Sequence, residues 1–107
     1  MISWITGNSG SGKTTLAKKI IKSDGGILLD GDSMRNVWSV GFSKEDRTEH
    51  NLRIAKLARM LDEQGFGVVV ATICPYKELR DEVQKITRCR FIYLEGGMSG
   101  PEHPYEI

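Results

Sequence analysis

The sequence predicts a three-layer α/β domain with a parallel sheet of about four strands, and three observations lead there. A glycine-rich stretch, Gly7-Asn8-Ser9-Gly10-Ser11-Gly12-Lys13-Thr14, lies between a short apolar run and a helix-like run. Apolar strand-like runs then alternate with amphipathic helix-like runs along the chain, the pattern of a sheet covered by helices. The strand-like runs are mostly apolar, as strands buried on both faces are.

Taken in order, Ile2 to Ile5 is the first strand. Thr14 to Ser23 is the first helix: Leu16, Ala17, Ile20 and Ile21 form a stripe for the sheet, and Lys18, Lys19 and Lys22 face water. Asp24-Gly25-Gly26 stops it. Ile27 to Leu29 is the second strand and ends at Asp30, with a helix starting near Ser33. After a connection over Val37 to Gly41, Ser43-Lys44-Glu45-Asp46 reads as a capping box. A long helix runs from it to about Gln64, burying Ile54, Leu57, Ala58 and Leu61. Val68 to Thr72 is the third strand, a β-branched run. A helix from Tyr76 to about Thr87 buries Leu79, Val83 and Ile86. Phe91 to Leu94 is the fourth strand, and the tail from Glu95 to Ile107, with Gly96, Gly97, Gly100, Pro101 and Pro104, has no period and reads as a loop. Right-handed crossovers would gather the loops that follow the strands on one rim.

At 107 residues the chain suits one domain, residues 1–107. Fifteen basic against fourteen acidic side chains leave a net charge near zero, which excludes a protein that grips duplex DNA by charge alone. The apolar runs are too short to span a bilayer. The N-terminus enters a strand directly, with no secretory leader pattern, so a cytoplasmic location is expected. Cys74 and Cys89 lack metal-like spacing, and reduced thiols are the expectation.

The glycine-rich stretch fits G-x-x-x-x-G-K-[ST] in its proper setting of strand, loop and helix, which makes the domain a P-loop NTPase fold. Gly7, Asn8, Ser9, Gly10, Ser11, Gly12, Lys13, Thr14 and Thr15 are therefore the candidate nucleotide-binding residues. Glycine lets backbone N–H groups converge on phosphate oxygens, and the helix N-terminus adds its dipole. Lys13 should reach the β/γ-phosphates of ATP, and Thr14 should ligate Mg²⁺. Asp30 and Asp32 follow the second strand at its carboxyl end, where ligands of open α/β sheets sit. Two carboxylates there suggest a general base and a partner for Mg²⁺ or water; the plain alternative is that both only cap a helix. Arg35 lies about one turn on from Asp32. Arg47, His50 and Asn51 share a face of the long helix, which on pattern alone reads as solvated. Phe42 is either a hydrophobic staple or a stacking surface for a base. Ile73-Cys74-Pro75-Tyr76 leaves the third strand toward the same rim, and Arg80 is a further candidate to face it. Cys74 reads as a small buried residue rather than a reactive thiol.

Together these segments resemble the adenylylsulfate kinase family. Leu29-Asp30-Gly31-Asp32 with Arg35, Gly41-Phe42-Ser43 with Asp46-Arg47, Cys74-Pro75-Tyr76 with Arg80, and Pro104-Tyr105-Glu106 stand in the family's order and rough spacing. The resemblance implies a kinase that moves the ATP γ-phosphate to the 3′-hydroxyl of adenosine 5′-phosphosulfate, with Mg²⁺. It implies Asp32 and Lys13 as catalytic residues, Thr14 and Asp30 at the metal, Arg35 and Arg47 on the phosphosulfate, and Phe42 stacked on adenine. His50 would stand at the substrate, and Ile73, Pro75 and Tyr76 would wall the site. The chain departs from the family in four places. His50 stands where the family has Asn, with Asn51 one step off. Cys74 replaces a serine. The basic lid segment after the fourth strand is missing. Gly97-Met98-Ser99-Gly100 puts Met98 where a second stacking Phe would be. Two other readings stay open: a kinase for another hydroxyl acceptor (a nucleotide, a polynucleotide end or a hydroxymethylated base in DNA), and a nucleotide-binding module without catalysis. The partners expected are ATP and a small hydroxyl-bearing acceptor, with no membrane. Nucleic acid enters only under the alternative acceptor, and a homo-oligomer is left open.

Overall fold

The computed structural model describes residues 1–98, 100 and 104–107. Ser99 of the Gly97–Gly100 stretch and Pro101 of the tail lie outside them. The elements run β1 (Ile2–Gly7), α1 (Lys13–Asp24), β2 (Ile27–Asp30), α2 (Gly31–Met34), α3 (Lys44–Glu63), β3 (Val68–Ala71), α4 (Lys77–Thr87) and β4 (Arg90–Leu94). The strands form one parallel sheet in the order β2-β3-β1-β4. The register sets Trp4 beside Val70 on one side and Phe91 on the other.

Side chains alternate across the sheet as a period of two requires. Ile5, Val69 and Ala71 face α1 and pack with Ala17, Leu16, Ile20 and Ile21. Ile2, Trp4, Leu29, Val68 and Val70 face the other way, onto Ile54, Ala55 and Ala58 of α3 and Leu79 and Val83 of α4. The result is the expected three layers. The helix stripes are those the 3.6-residue period picks out, although Leu16, Ile20, Ile21, Leu57, Leu61 and Ile86 are only partly buried.

Several boundaries differ from the sequence reading. β1 runs two residues further, to Gly7, because Thr6 and Gly7 pair with Tyr93 and Leu94 of β4. β3 stops at Ala71, one residue short of the expected end, although Thr72 N still donates to the Ile5 carbonyl at 3.1 Å. The helix near Ser33 is a single turn, α2, that starts at Gly31 under the Asp30 cap. The capping box of α3 forms as expected: Ser43 Oγ accepts from Asp46 N, and Asp46 Oδ2 accepts from Ser43 N. Among the described residues no helix is long and apolar enough to cross a membrane.

β1 leads into α1 on one face of the sheet, whereas β3 leads into α4 on the other. Since β1 and β3 are neighbours, the chain leaves their carboxyl ends in opposite directions. A crevice opens at that reversal, the usual ligand position in an open α/β sheet.

Candidate functional site

The crevice is a cleft of about 700 Å³. On the β1 side it is lined by Asn8, Ser9, Gly10, Gly12, Lys13, Thr14 and Thr15. Gly12 caps α1 in the left-handed region at φ 97°, where a β-carbon would be strained. No side chain caps the first turn of α1, so its leading N–H groups are available to an anion. Lys13 Nζ donates to the Asn8 carbonyl at 2.7 Å. Burial lowers the Lys13 pKa, and the charges of Asp32 and Asp30 oppose that shift. The ammonium and the two carboxylates thus share one small volume.

Asp30 ends β2, and its Oδ1 accepts from Asp32 N at 3.1 Å, capping α2. Its other oxygen, Oδ2, accepts from the Thr14 hydroxyl at 3.2 Å. Asp30 therefore caps a helix and also faces the P-loop. The Thr14 hydroxyl and Asp30 carboxylate are hard oxygen donors beside the phosphate cradle, a donor set that suits Mg²⁺ completed by phosphate and water oxygens. No cluster of three or more His, Cys, Asp or Glu among the described residues competes for a metal. Asp32 lines the cleft next to this pair.

Arg35, Phe42 and Arg47 line the far side. Arg35 Nη1 donates to the carbonyls of Val40 and Gly41 at 3.1 and 3.0 Å. Its guanidinium lies 4.4 Å from the Phe42 ring centroid. Phe42 is 69% exposed, so it does not pack as a staple on α3; it offers a ring face at the cleft. Asn51 Nδ2 donates to the Arg47 carbonyl at 2.8 Å, fixing the helical turn that carries Arg47.

His50 lines the cleft, but both ring nitrogens are occupied by the protein. Trp38 Nε1 donates to Nδ1 at 2.8 Å, and Nε2 meets the Gly31 carbonyl at 2.9 Å. An indole N–H is donor only, so Nδ1 must accept and Nε2 must carry the proton. Burial lowers the His50 pKa, keeping this neutral tautomer. His50 thus holds the turn between Asp30 and Asp32 rather than presenting a free donor.

Ile73 and Pro75 complete the wall beyond β3 together with Pro104 of the tail. Gly7, Ser11 and Tyr76 do not line the cleft. Gly7 backs onto the Leu94 carbonyl, and the Tyr76 ring lies 5.1 Å from Lys44 Nζ. Arg80 also turns away, to the Cys74 carbonyl at 2.9 Å. The sequence reading missed the part played by Asn51 and Thr72. Thr72 Oγ1 donates to Asn51 Oδ1 at 2.7 Å and accepts from Trp4 Nε1 at 3.0 Å, tying α3 to the sheet under the cleft. The available signal was a threonine closing a β-branched run.

A family model described as Adenylylsulphate kinase matches residues 1–98. A "Probable adenylyl-sulfate kinase" of Pyrococcus abyssi is 42% identical over 99 residues, covering 85% of this chain and 57% of the relative. The structure of a Mycobacterium tuberculosis APS kinase in complex with AMPPNP and APS has a TM-score of 0.72 at 32% identity, covering 86% of this chain and 59% of that one. A hexameric APS kinase from Thiobacillus denitrificans has a TM-score of 0.74 at 31% identity, covering 86% of this chain and 21% of that one. The chain spans about half the length of the curated relatives it matches.

Proposed function

We propose, from the premise that the chain belongs to the adenylylsulfate kinase family, that it transfers the γ-phosphate of ATP to the 3′-hydroxyl of adenosine 5′-phosphosulfate. The observation that supports this most is the single cleft shared by an uncapped helix N-terminus with its lysine and by Asp32, Arg35 and Arg47. A phosphate donor and an anionic acceptor can meet there with a carboxylate between them.

The donor's phosphates lie against the P-loop N–H groups and Lys13. The Asp32 carboxylate accepts the proton of the acceptor hydroxyl as its oxygen attacks the γ-phosphorus in line, and ADP leaves from the opposite side. Arg35 and Arg47 neutralise the acceptor's 5′-phosphosulfate, and the exposed ring of Phe42 stacks on its adenine. Thr14 and Asp30 would hold Mg²⁺, which supplies charge neutralisation at the β/γ-phosphates. His50 serves the reaction through Gly31 rather than by touching the acceptor. The reading is of a cytoplasmic protein, which suits two unbridged thiols. Self-association is expected on the pattern of the hexameric relative.

The test is transfer of label from γ-labelled ATP in the presence of Mg²⁺. Adenosine 5′-phosphosulfate is compared with a panel of nucleotides and DNA ends and with an acceptor-free control. Label on adenosine 5′-phosphosulfate, lowered at least ~100-fold in Asp32→Asn with ATP binding retained, is expected for loss of a general base. Label on another acceptor, or none on any with ATP bound, overturns the proposal.

A further inference from the structure

Three successive carbonyls at the carboxyl end of β3 are each bonded by a different part of the chain. The Ile73 carbonyl accepts from Thr6 Oγ1 of β1 at 2.5 Å. The Cys74 carbonyl accepts from Arg80 Nη1 of α4 at 2.9 Å. The Pro75 carbonyl accepts from Glu106 N of the tail at 2.7 Å. Cys74 itself adopts φ 44°, a conformation that a non-glycine residue keeps only when its surroundings enforce it.

Arg80 joins these anchors. Its Nη2 donates to the Glu106 carbonyl, and its guanidinium lies 4.7 Å from the Tyr105 ring centroid. The Thr6 hydroxyl has one proton and gives it to Ile73, so Tyr105 Oη must donate in the 2.9 Å contact with Thr6 Oγ1. The Glu106 carboxylate accepts from Lys77 N at 2.8 Å. It thereby caps α4, whose own preceding residue, Tyr76, supplies no side-chain cap. Arg80 thus sits outside the cleft and behind the wall made by Ile73, Pro75 and Pro104.

We propose that Arg80 is a positioning residue for the acceptor side of the cleft, clamping the Cys74 carbonyl to the Tyr105–Glu106 tail so that Ile73 and Pro75 hold their places. The planar fork of arginine serves two carbonyls and an aromatic face at once, and a lysine ammonium cannot reproduce that. The inference rests on the proposed transfer reaction only for its kinetic consequence. The clamp itself is read without any turnover.

The experiment compares the whole chain with Arg80→Ala and Arg80→Lys. Amide hydrogen exchange at Glu106 and Lys77 reports the clamp directly. Steady-state transfer reports the acceptor side. Arg80→Ala should speed exchange at Glu106 at least ~10-fold, the loss expected for one charge-assisted hydrogen bond. It should raise KM for adenosine 5′-phosphosulfate by a similar factor, with KM for ATP within about twofold of the parent. Millimolar guanidinium should reverse both effects in Arg80→Ala, and Arg80→Lys should stay impaired. Should Arg80→Ala fail to fold, Arg80→Lys carries the same two readouts. Unchanged exchange at Glu106 overturns the proposal, as does an equal rise in both KM values without guanidinium rescue. If the parent chain transfers nothing to adenosine 5′-phosphosulfate, the proposed function falls. The exchange arm then still decides the clamp: faster exchange reversed by guanidinium sustains it, and no change ends it.

Discussion

Replacing Thr72 by valine keeps a β-branched side chain but removes the hydroxyl that joins Trp4 to Asn51. Trp4 has no exposed surface, and Asn51 and Thr72 are each 4% exposed. Water therefore replaces the lost partner poorly, reaching it only from the cleft that Asn51 and Thr72 border. The indole N–H and the Asn51 Oδ1 would both be left buried and unpaired, at about 1–3 kcal/mol each. Partial relaxation puts the expected loss in the lower half of the combined range of about 2–6 kcal/mol, at about 3 kcal/mol. That is a large share of the ~5–15 kcal/mol typical of a domain. With a urea m-value of about 1.5 kcal/mol/M, the midpoint falls by about 2 M. The assay is equilibrium urea unfolding followed by tryptophan fluorescence and far-ultraviolet circular dichroism. Thr72→Ser is the control, because it keeps the hydroxyl and loses a methyl group worth about 0.8 kcal/mol. A Thr72→Val midpoint within about 0.3 M of the parent would refute the reasoning. So would a serine variant as unstable as the valine one.

Two further predictions come from titrating groups. His50 is held neutral with a pKa below the ordinary 6.5 by burial, the positive Arg35 and Arg53 adding to the shift while the Gly31 carbonyl and Asp32 oppose it. Below that ordinary value the unfolded chain binds a proton that the folded chain refuses, so His50 makes stability fall as pH drops from about 6.5 toward the folded-state value. Urea midpoints measured between about pH 5 and 7 should show this fall in the parent and a shallower one in His50→Asn; equal slopes would count against the neutral tautomer. Both cysteines are buried and unbridged, and burial pushes the Cys74 thiol up to about 12. Iodoacetamide at pH 8 should therefore leave both unlabelled in the native chain and label both in denaturant, read by mass spectrometry. Rapid native labelling of Cys74 would contradict its placement.

Regular periodicities made most of the fold legible. The apolar runs Ile2 to Ile5 and Val68 to Ala71 mark strands covered on both faces, and the stripe Leu16, Ala17, Ile20, Ile21 marks the helix face that packs on them. Burial then dictates the layers. The P-loop was legible because its chemistry is local: eight consecutive residues build the cradle. The polar ties were not. Thr6 and Tyr105 meet across 99 residues, and Trp4 and Thr72 across 68. Nothing in hydrophobic spacing says which hydroxyl will meet which ring. His50 shows the same limit. Its place on the face with Arg47 followed from helix geometry, but its engagement by Trp38 depends on how residues 35–42 fold back over α3, and that stretch carries no period. The tail has no period in the sequence, and it contains no regular helix or strand at Pro104–Ile107. Irregular backbone can nonetheless be firmly held, as the bonds of Tyr105 and Glu106 indicate.

Asn51 and His50 are adjacent in sequence yet serve different neighbours, the sheet through Thr72 and the turn through Gly31. Successive residues of a helix are rotated by about 100°, so α3 is keyed like a shaft with two unlike teeth. A deletion or insertion of one residue between its cap at Ser43 and His50 would disengage both teeth at once and swing Arg47 away from the cleft. Changes of length should therefore be tolerated beyond the helix, around Gln64 to Gly67, and excluded from its first two turns, whatever the helical propensity of the residues exchanged.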